Sequence, residues 1–150
     1  MIRSLGEIFE RAFGSQAAPG GAGREHALNL ATAVLLIEVA RADFDEDVIE
    51  DRAIAGLLKA HLSLAEDEID MLLEEARSEA DHAASLQAFT RELHEALSSD
   101  EKLKLVEMLW RVALADQVLD KHEDHLVRKI AGLLYVSHGD LIRLRNKVAD

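Results

Sequence analysis

Cysteine is absent from the 150-residue chain, and this absence excludes several classes of site at once. Disulfide frameworks, thiolate zinc sites, iron–sulfur clusters and cysteine nucleophiles all require a cysteine sulfur. The sequence also lacks a glycine-rich phosphate loop, a nucleophile elbow and an acid–base pair spaced for catalysis. We therefore expect a protein that is not an enzyme.

Signals for β-strands are also scarce, because the chain has little β-branched alternation and no Asn-Gly or Asp-Gly pair. The only proline and half of the eight glycines fall in GSQAAPGGAG, residues 14–23, which predicts a flexible linker. The preceding residues lack a continuous apolar run, so we expect neither a signal peptide nor a spanning helix. A bacterial cytoplasmic protein is the expected class.

The residues before the linker carry the pattern of a short amphipathic helix. Ser4 and Glu7 have the spacing of a capping box, and apolar residues recur at helical intervals after Ile2. We expect this helix to dock on the body of the protein or on the periphery of the inner membrane. The predicted organisation is therefore residues 1–24 as helix and linker, followed by a helical domain over residues 25–150.

Basic side chains are few compared with acidic ones. Seventeen Lys and Arg residues against twenty-nine Asp and Glu residues give a net charge of −12. This charge repels phosphate backbones, so we expect no nucleic-acid partner. Cations or an unidentified basic protein are the favoured partners, and the alternative is that the acidic surplus only keeps the protein soluble.

Apolar periodicity and capping signals predict an all-α fold, a compact bundle of about seven helices. The helix expected at 26–43 is too apolar for a narrow stripe, which predicts a central and buried position. Trp110, Phe89, Met108 and Met71 occur among aliphatic residues at helical spacing and are expected in the core. The predicted helices run over residues 26–43, 47–61, 63–76, 86–97, 98–116, 120–134 and 137–148. Ser63, Ser98 and Ser137, each with an acidic residue three positions later, are expected to cap the third, fifth and seventh of these helices.

Two stretches of the chain resemble each other. LATAVLLIEVARADFDEDVIE at 30–50 aligns with LKLVEMLWRVALADQVLDKHE at 103–123, with an offset of 73 residues. Asp43 then matches Asp116, and Glu50 matches Glu123. The similarity extends over residues 30–76 and 103–149, so the sequence predicts two pseudo-repeated halves, each with a helix, an acidic loop and a helix.

Each predicted loop gathers carboxylates between two helices. An aspartate ends the first helix of each half, and a glutamate lies in the first turn of the second helix, where its side chain leans back over the loop. Such oxygen ligands suit hard cations, so calcium, magnesium or manganese is expected. The candidate ligands are Asp43, Asp45, Asp47 and Glu50 in the first loop and Asp116, Asp120 and Glu123 in the second.

Helix capping explains part of the same pattern without a metal. Asp47 and Asp120 fit as N-caps, with Glu50 and Glu123 as their capping-box partners. Capping does not explain aspartates at the carboxyl ends of helices, where the helix dipole disfavours an anion. Those two aspartates could instead hold Asx-type turns, and both interpretations stay open at this point.

Other metal motifs are incomplete. The first loop begins like an EF-hand, but Val48 stands in place of the glycine and Ile54 in place of the final glutamate. His122 and His125 are spaced for zinc or nickel, and the equivalent positions of the first half hold no histidine, so zinc is less expected.

Three motifs of the second half carry a resemblance to a known family. LWRVALAD at 109–116, the Leu119-Asp120-x-x-Glu123 motif and LVRKIAGLL at 126–134 resemble the TerB family, which is associated with tellurite resistance. LLIEVARAD at 35–43 resembles the family's first copy. The resemblance covers residues 25–149 and implies an all-helical domain with two halves. Where the family has glycine after the loop aspartate, this chain has Phe44 and Gln117.

The resemblance also implies that the acidic loops bind divalent metal. We therefore expect a non-enzymatic module that binds or senses a divalent cation in bacterial tellurite or metal stress. The alternative is an acidic protein-interaction or membrane-peripheral scaffold whose loops are purely structural.

Overall fold

The computed structural model describes residues 22–43, 51–78, 81–115 and 123–149. These residues form seven helices, and no strand occurs among them, so the predicted all-α class is confirmed. The helices are α1 (Ala22–Asp43), α2 (Asp51–Leu62), α3 (Glu66–Ser78), α4 (His82–Ala96), α5 (Ser99–Ala115), α6 (Glu123–Leu133) and α7 (His138–Ala149). None of the helices in these ranges is long and apolar enough to cross a membrane.

Helix α1 is the centre of the bundle. Every residue from Leu30 to Val39 is buried, and α1 packs against α2, α3, α4, α5 and α6. A helix that is covered on all sides can carry apolar residues on all of its faces. The central position of α1 was predicted from this pattern. The buried hydroxyl of Thr32 donates to the carbonyl of Leu28, so the polar side chain is satisfied inside the core.

Helix α5 is the second central helix and packs against α1, α2, α6 and α7. The Trp110 ring is fully buried, and its Nε1–H donates to the Leu141 carbonyl at 3.1 Å. Phe89 and Met108 are buried, and Met71 packs at the edge of the core. The predicted core positions are therefore confirmed.

Two predicted helix caps form as expected. Ser98 and Glu101 make a reciprocal capping box, since Glu101 accepts from the Ser98 backbone N–H and Ser98 accepts from the Glu101 backbone N–H. At α7 the Ser137 hydroxyl accepts from the Asp140 backbone N–H. These side chains satisfy amides that have no partner within the helix.

Two other helix starts differ from the prediction. Ser63 was expected to cap α3, but it has a positive φ of 52°, and Glu68 instead accepts from the backbone N–H of Ala65. Helix α4 begins at His82 and not near Leu86, because Asp81 caps it by accepting from the Ala84 backbone N–H. Polar residues at the start of a helix look like a break in the apolar periodicity, and for this reason the sequence predicted the start of α4 too late.

The described residues include only the last part of the predicted amino-terminal helix and linker. Residues 1–21, with the predicted amphipathic helix, lie outside the described residues. Helix α1 begins at Ala22, so the last two residues of the predicted linker are helical. The boundary at residue 25 stays a prediction.

The predicted halves correspond to α1–α3 and α5–α7, on either side of α4 in the sequence. Their packing differs, because α3 packs on both α1 and α2, whereas α7 packs chiefly on α5. The duplication itself also stays a prediction.

Candidate metal-binding loops

The two candidate loops occupy equivalent places between packed helices. Residues 44–50 join α1 to α2, residues 116–122 join α5 to α6, and each segment has seven residues. The two helices that flank each segment contact each other. Each candidate segment therefore connects two helices that pack against each other.

The candidate ligands fall at the borders of the described residues or beyond them. Asp43 is the last residue of α1 and Glu123 the first residue of α6; their backbones are described, while their side chains are not. The remaining five candidates lie outside the described residues: Asp45, Asp47, Glu50, Asp116 and Asp120. The structure therefore locates the helix ends that border the two loops, and the ligand set itself stays a prediction.

The helix ends that lead into the loops carry different charges. Helix α1 ends at Asp43, as predicted, with Arg41 in its last turn. The last turn of α5 has no basic residue, and Asp116 follows its final residue, Ala115, directly. An anion at a helix carboxyl end is disfavoured by about 0.3–1 kcal/mol. The last turn of α5 thus has no basic residue to balance the partial negative charge of its terminal carbonyls.

Glu38 is a buried acid that is not among the candidate ligands predicted from the sequence. Its side chain is 1% exposed inside α1, five residues before Asp43. The predicted repeat aligns Glu38 with Arg111, which is exposed on α5 and lies 3.5 Å from Glu107. An acid inside the apolar run LLIEVA was the available signal, because charged residues are almost never buried without a partner.

Two carboxylates near the start of α3 join this helix to its neighbours. Glu68 Oε2 lies 2.5 Å from His26 Nε2 on α1, and Glu66 lies 2.9 Å from the Lys59 ammonium on α2. Burial raises the pKa of Glu68, but the hydrogen bond from Ala65 and the contact with His26 together outweigh it, so the pKa is lowered. The hydrogen bond and charge of Lys59 lower the pKa of Glu66.

No group of three or more His, Asp or Glu side chains with the arrangement of a metal site occurs among residues 22–43, 51–78, 81–115 and 123–149. Several carboxylates in these ranges form helix caps and ion pairs instead. A cation hypothesis for this protein therefore rests on the loops at 44–50 and 116–122.

Comparison with known families settles which family the fold represents. The family model described as tellurite resistance protein TerB matches residues 29–146, well over half of the chain. The chain belongs to the TerB family. The match spans both loops and all seven described helices except the beginning of α1 and the end of α7. No curated protein and no solved structure is similar enough to extend the comparison.

Proposed function

We propose that this TerB-family protein is a non-enzymatic module that binds or senses a divalent cation through its two acidic loops. One observation supports this most directly: both loops have seven residues, and each joins two helices that contact each other. The ligands are the acidic residues already named in each loop, with Asp43 and Asp116 decisive. Its role would be in the bacterial response to tellurite or metal stress, in the cytoplasm.

The physical argument starts from the cost of clustered carboxylates. Residues 43–50 hold five acidic side chains, Asp43 at the end of α1 among them. Like charges in one short loop repel, and the last carbonyls of α1 add negative partial charge. A hard divalent cation relieves both effects and takes six to eight oxygen ligands in the case of calcium. Calcium, magnesium or manganese fits this chemistry better than zinc.

Calorimetric titration and thermal unfolding with each of the three cations test the proposal. Binding should raise stability by about 2.7 kcal/mol at a cation concentration one hundred times the dissociation constant. Changing both Asp43 and Asp116 to Asn should sharply weaken binding while preserving or raising stability without metal. A wild-type titration with no heat and no stabilisation at millimolar cation would contradict the proposal.

A matched control separates ligand loss from a general loss of negative charge. Asp70→Asn with Glu74→Gln removes two charges from the exposed face of α3, which is distinct from both loops. This double variant should bind the cation as the wild type does. If the control and the loop variant lose the same amount of cation affinity, then binding depends only on the net charge of the protein.

The second candidate is an acidic protein-interaction module, or a membrane-peripheral scaffold, with purely structural loops. Its support is the distribution of charge, since residues 25–100 contain nineteen acidic and five basic side chains. Under this reading the cations have no specific effect, and Asp43→Asn costs stability if the carboxylate accepts hydrogen bonds from loop amides.

A further inference from the structure

Tyr135 occupies an unusual position in the turn between α6 and α7. Its side chain is 77% exposed, the only large hydrophobic residue of the described ranges with that status. The Val136 backbone N–H donates to the Ala131 carbonyl at 2.9 Å, and the Tyr135 N–H donates to Gly132 at 3.2 Å. These two bonds form a Schellman motif, in which the residue at Tyr135 takes a positive φ, here 60°. Glycine is the preferred residue there, so tyrosine is present at a cost to the fold.

The Tyr135 ring contacts His94, which in turn contacts Lys102. The rings of Tyr135 and His94 have centroids 4.5 Å apart, and Lys102 Nζ lies 2.6 Å from His94 Nδ1. An ammonium group has no lone pair, so Lys102 donates and Nδ1 accepts. A ring whose Nδ1 accepts presents Nε2–H as a donor at its other edge. We refer to Tyr135, His94 and Lys102 together as the Tyr135 platform.

The chemistry of the platform indicates what it would bind. The tyrosine ring offers a large contact area at low conformational cost, and tyrosine is enriched in residues that dominate binding energy. The phenol hydroxyl, the Nε2–H and the ammonium are all hydrogen-bond donors. A surface that combines an aromatic ring with donors and a positive charge fits a carboxylate-bearing segment.

The same chain offers such a segment on α3. Asp67, Asp70 and Glu74 are exposed and follow each other at intervals of three and four residues, which places them along one face of the helix. We refer to these three residues as the α3 acidic stripe. The helix dipole favours Asp67 in the first turn, but it does not explain the two acids further along. The ion pairs that join α3 to α1 and α2 use Glu66 and Glu68 instead.

We propose that the Tyr135 platform of one chain docks the α3 acidic stripe of a second copy. Charge complementarity supports this occupant, because the stripe carries three exposed carboxylates and the platform carries the ammonium of Lys102. The stripe lies on α3, which packs on α1 and α2, whereas the platform is built from α4, α5 and the turn after α6. The contact is head-to-tail, so mass grows with protein concentration.

Sedimentation of the full chain tests the proposal. The average mass should rise above the 16.6 kDa of one chain as concentration increases to about 1 mM, where even a weak contact is populated. High salt should reverse the rise because it screens exposed charges. Wild-type protein that stays at the mass of one chain throughout this range would overturn the proposal. If that protein still binds an added polyglutamate peptide, the platform serves a different acidic partner, and the contact between two copies is overturned all the same.

Two variants remove the two sides of the contact separately. Tyr135→Gly removes the ring at a position where glycine is preferred, so the variant should fold and stay at the mass of one chain. Asp67→Asn with Asp70→Asn and Glu74→Gln removes the stripe and should also prevent assembly. Tyr135→Phe keeps the ring and should assemble nearly as the wild type does. A Tyr135→Gly protein that assembles as the wild type does would refute the role of the platform.

Mixing the two single-sided variants gives the decisive result. The Tyr135→Gly chain keeps its stripe and the stripe variant keeps its platform, so each offers the half that the other lacks. A 1:1 mixture should therefore form a species of twice the mass of one chain, with no larger assembly. A mixture that stays at the mass of one chain would overturn the head-to-tail contact.

Discussion

Lys147 Nζ lies 2.6 Å from Glu107 Oε1 and thereby joins α7 to the central helix α5. The Glu107 side chain is only 16% exposed, and it also lies 3.5 Å from Arg111 one turn later in α5. A carboxylate with little access to water depends on its cationic partners more than a surface carboxylate does. The pair therefore adds an electrostatic contact to the apolar packing of α7.

Replacing Lys147 by Met should reduce the free energy of unfolding by about 0.5–1 kcal/mol, because Glu107 loses its closer partner. Denaturant unfolding measures the change. Arg143→Met is the matched control, since Arg143 pairs at 3.2 Å with Asp140 within α7, an exposed local contact. The control should change stability by less than the Lys147 variant, and the reverse order would mean that the pair to Glu107 contributes nothing.

Ser63→Gly should stabilise the fold. Ser63 has a φ of 52° just after α2, a region that costs a residue with a Cβ about 1–2 kcal/mol. Glycine relieves this cost but increases the entropy of the unfolded chain, so we expect a net gain of about 0.5–1 kcal/mol. Thermal unfolding measures the gain. Ser137→Gly is the contrasting variant, because it removes the hydroxyl that caps α7 and should lower the melting temperature.

The helices and the core could be predicted from the sequence because both depend on the periodicity of apolar residues. Helical periodicity identifies which residues share a face, and a run such as residues 30–39 has apolar residues on nearly every face. That pattern requires a central position, and α1 has it. The capping box of Ser98 and Glu101 is likewise a local interaction, so local sequence sufficed to predict it.

The features that sequence reasoning missed depend on the tertiary fold or on backbone angles. The burial of Glu38 depends on which helices cover α1, and the platform joins His94, Lys102 and Tyr135 from three separate elements. Nothing in the local sequence marks Tyr135 for a positive φ, because glycine is the usual residue there. For the candidate metal site, the end of α1 at Asp43 was predicted correctly, and the ligation itself stays a prediction.

Trp110→Phe should cost about 2–3 kcal/mol. The variant loses the hydrogen bond from Nε1 to the Leu141 carbonyl and leaves a space in a fully buried position between α5 and α7. Circular dichroism during denaturant unfolding measures the loss, since the variant no longer contains tryptophan. Met71→Leu, at the edge of the core, conserves volume and should cost less than about 1.5 kcal/mol.

The remaining prediction concerns stability in acid. The pKa of Glu68 is lowered in the folded protein by the hydrogen bond from Ala65 and by His26, in spite of its burial, so the folded state binds this proton less readily than the unfolded state. The contribution of Glu68 to stability is therefore complete above the ordinary pKa of a glutamate in the unfolded chain, 4.5. It is lost as the pH falls through the lower folded value.

Glu68→Gln tests this directly, because the amide oxygen can still accept from the Ala65 N–H but carries no charge. The variant should be less stable than the wild type at pH 6, and the difference should shrink as the pH falls below about 4. Asp70→Asn removes a charge from an exposed position of the same helix, and it should show no such convergence. If the two proteins differ by the same amount at pH 6 and pH 3, then the ionised carboxylate of Glu68 does not stabilise the contact between α1 and α3.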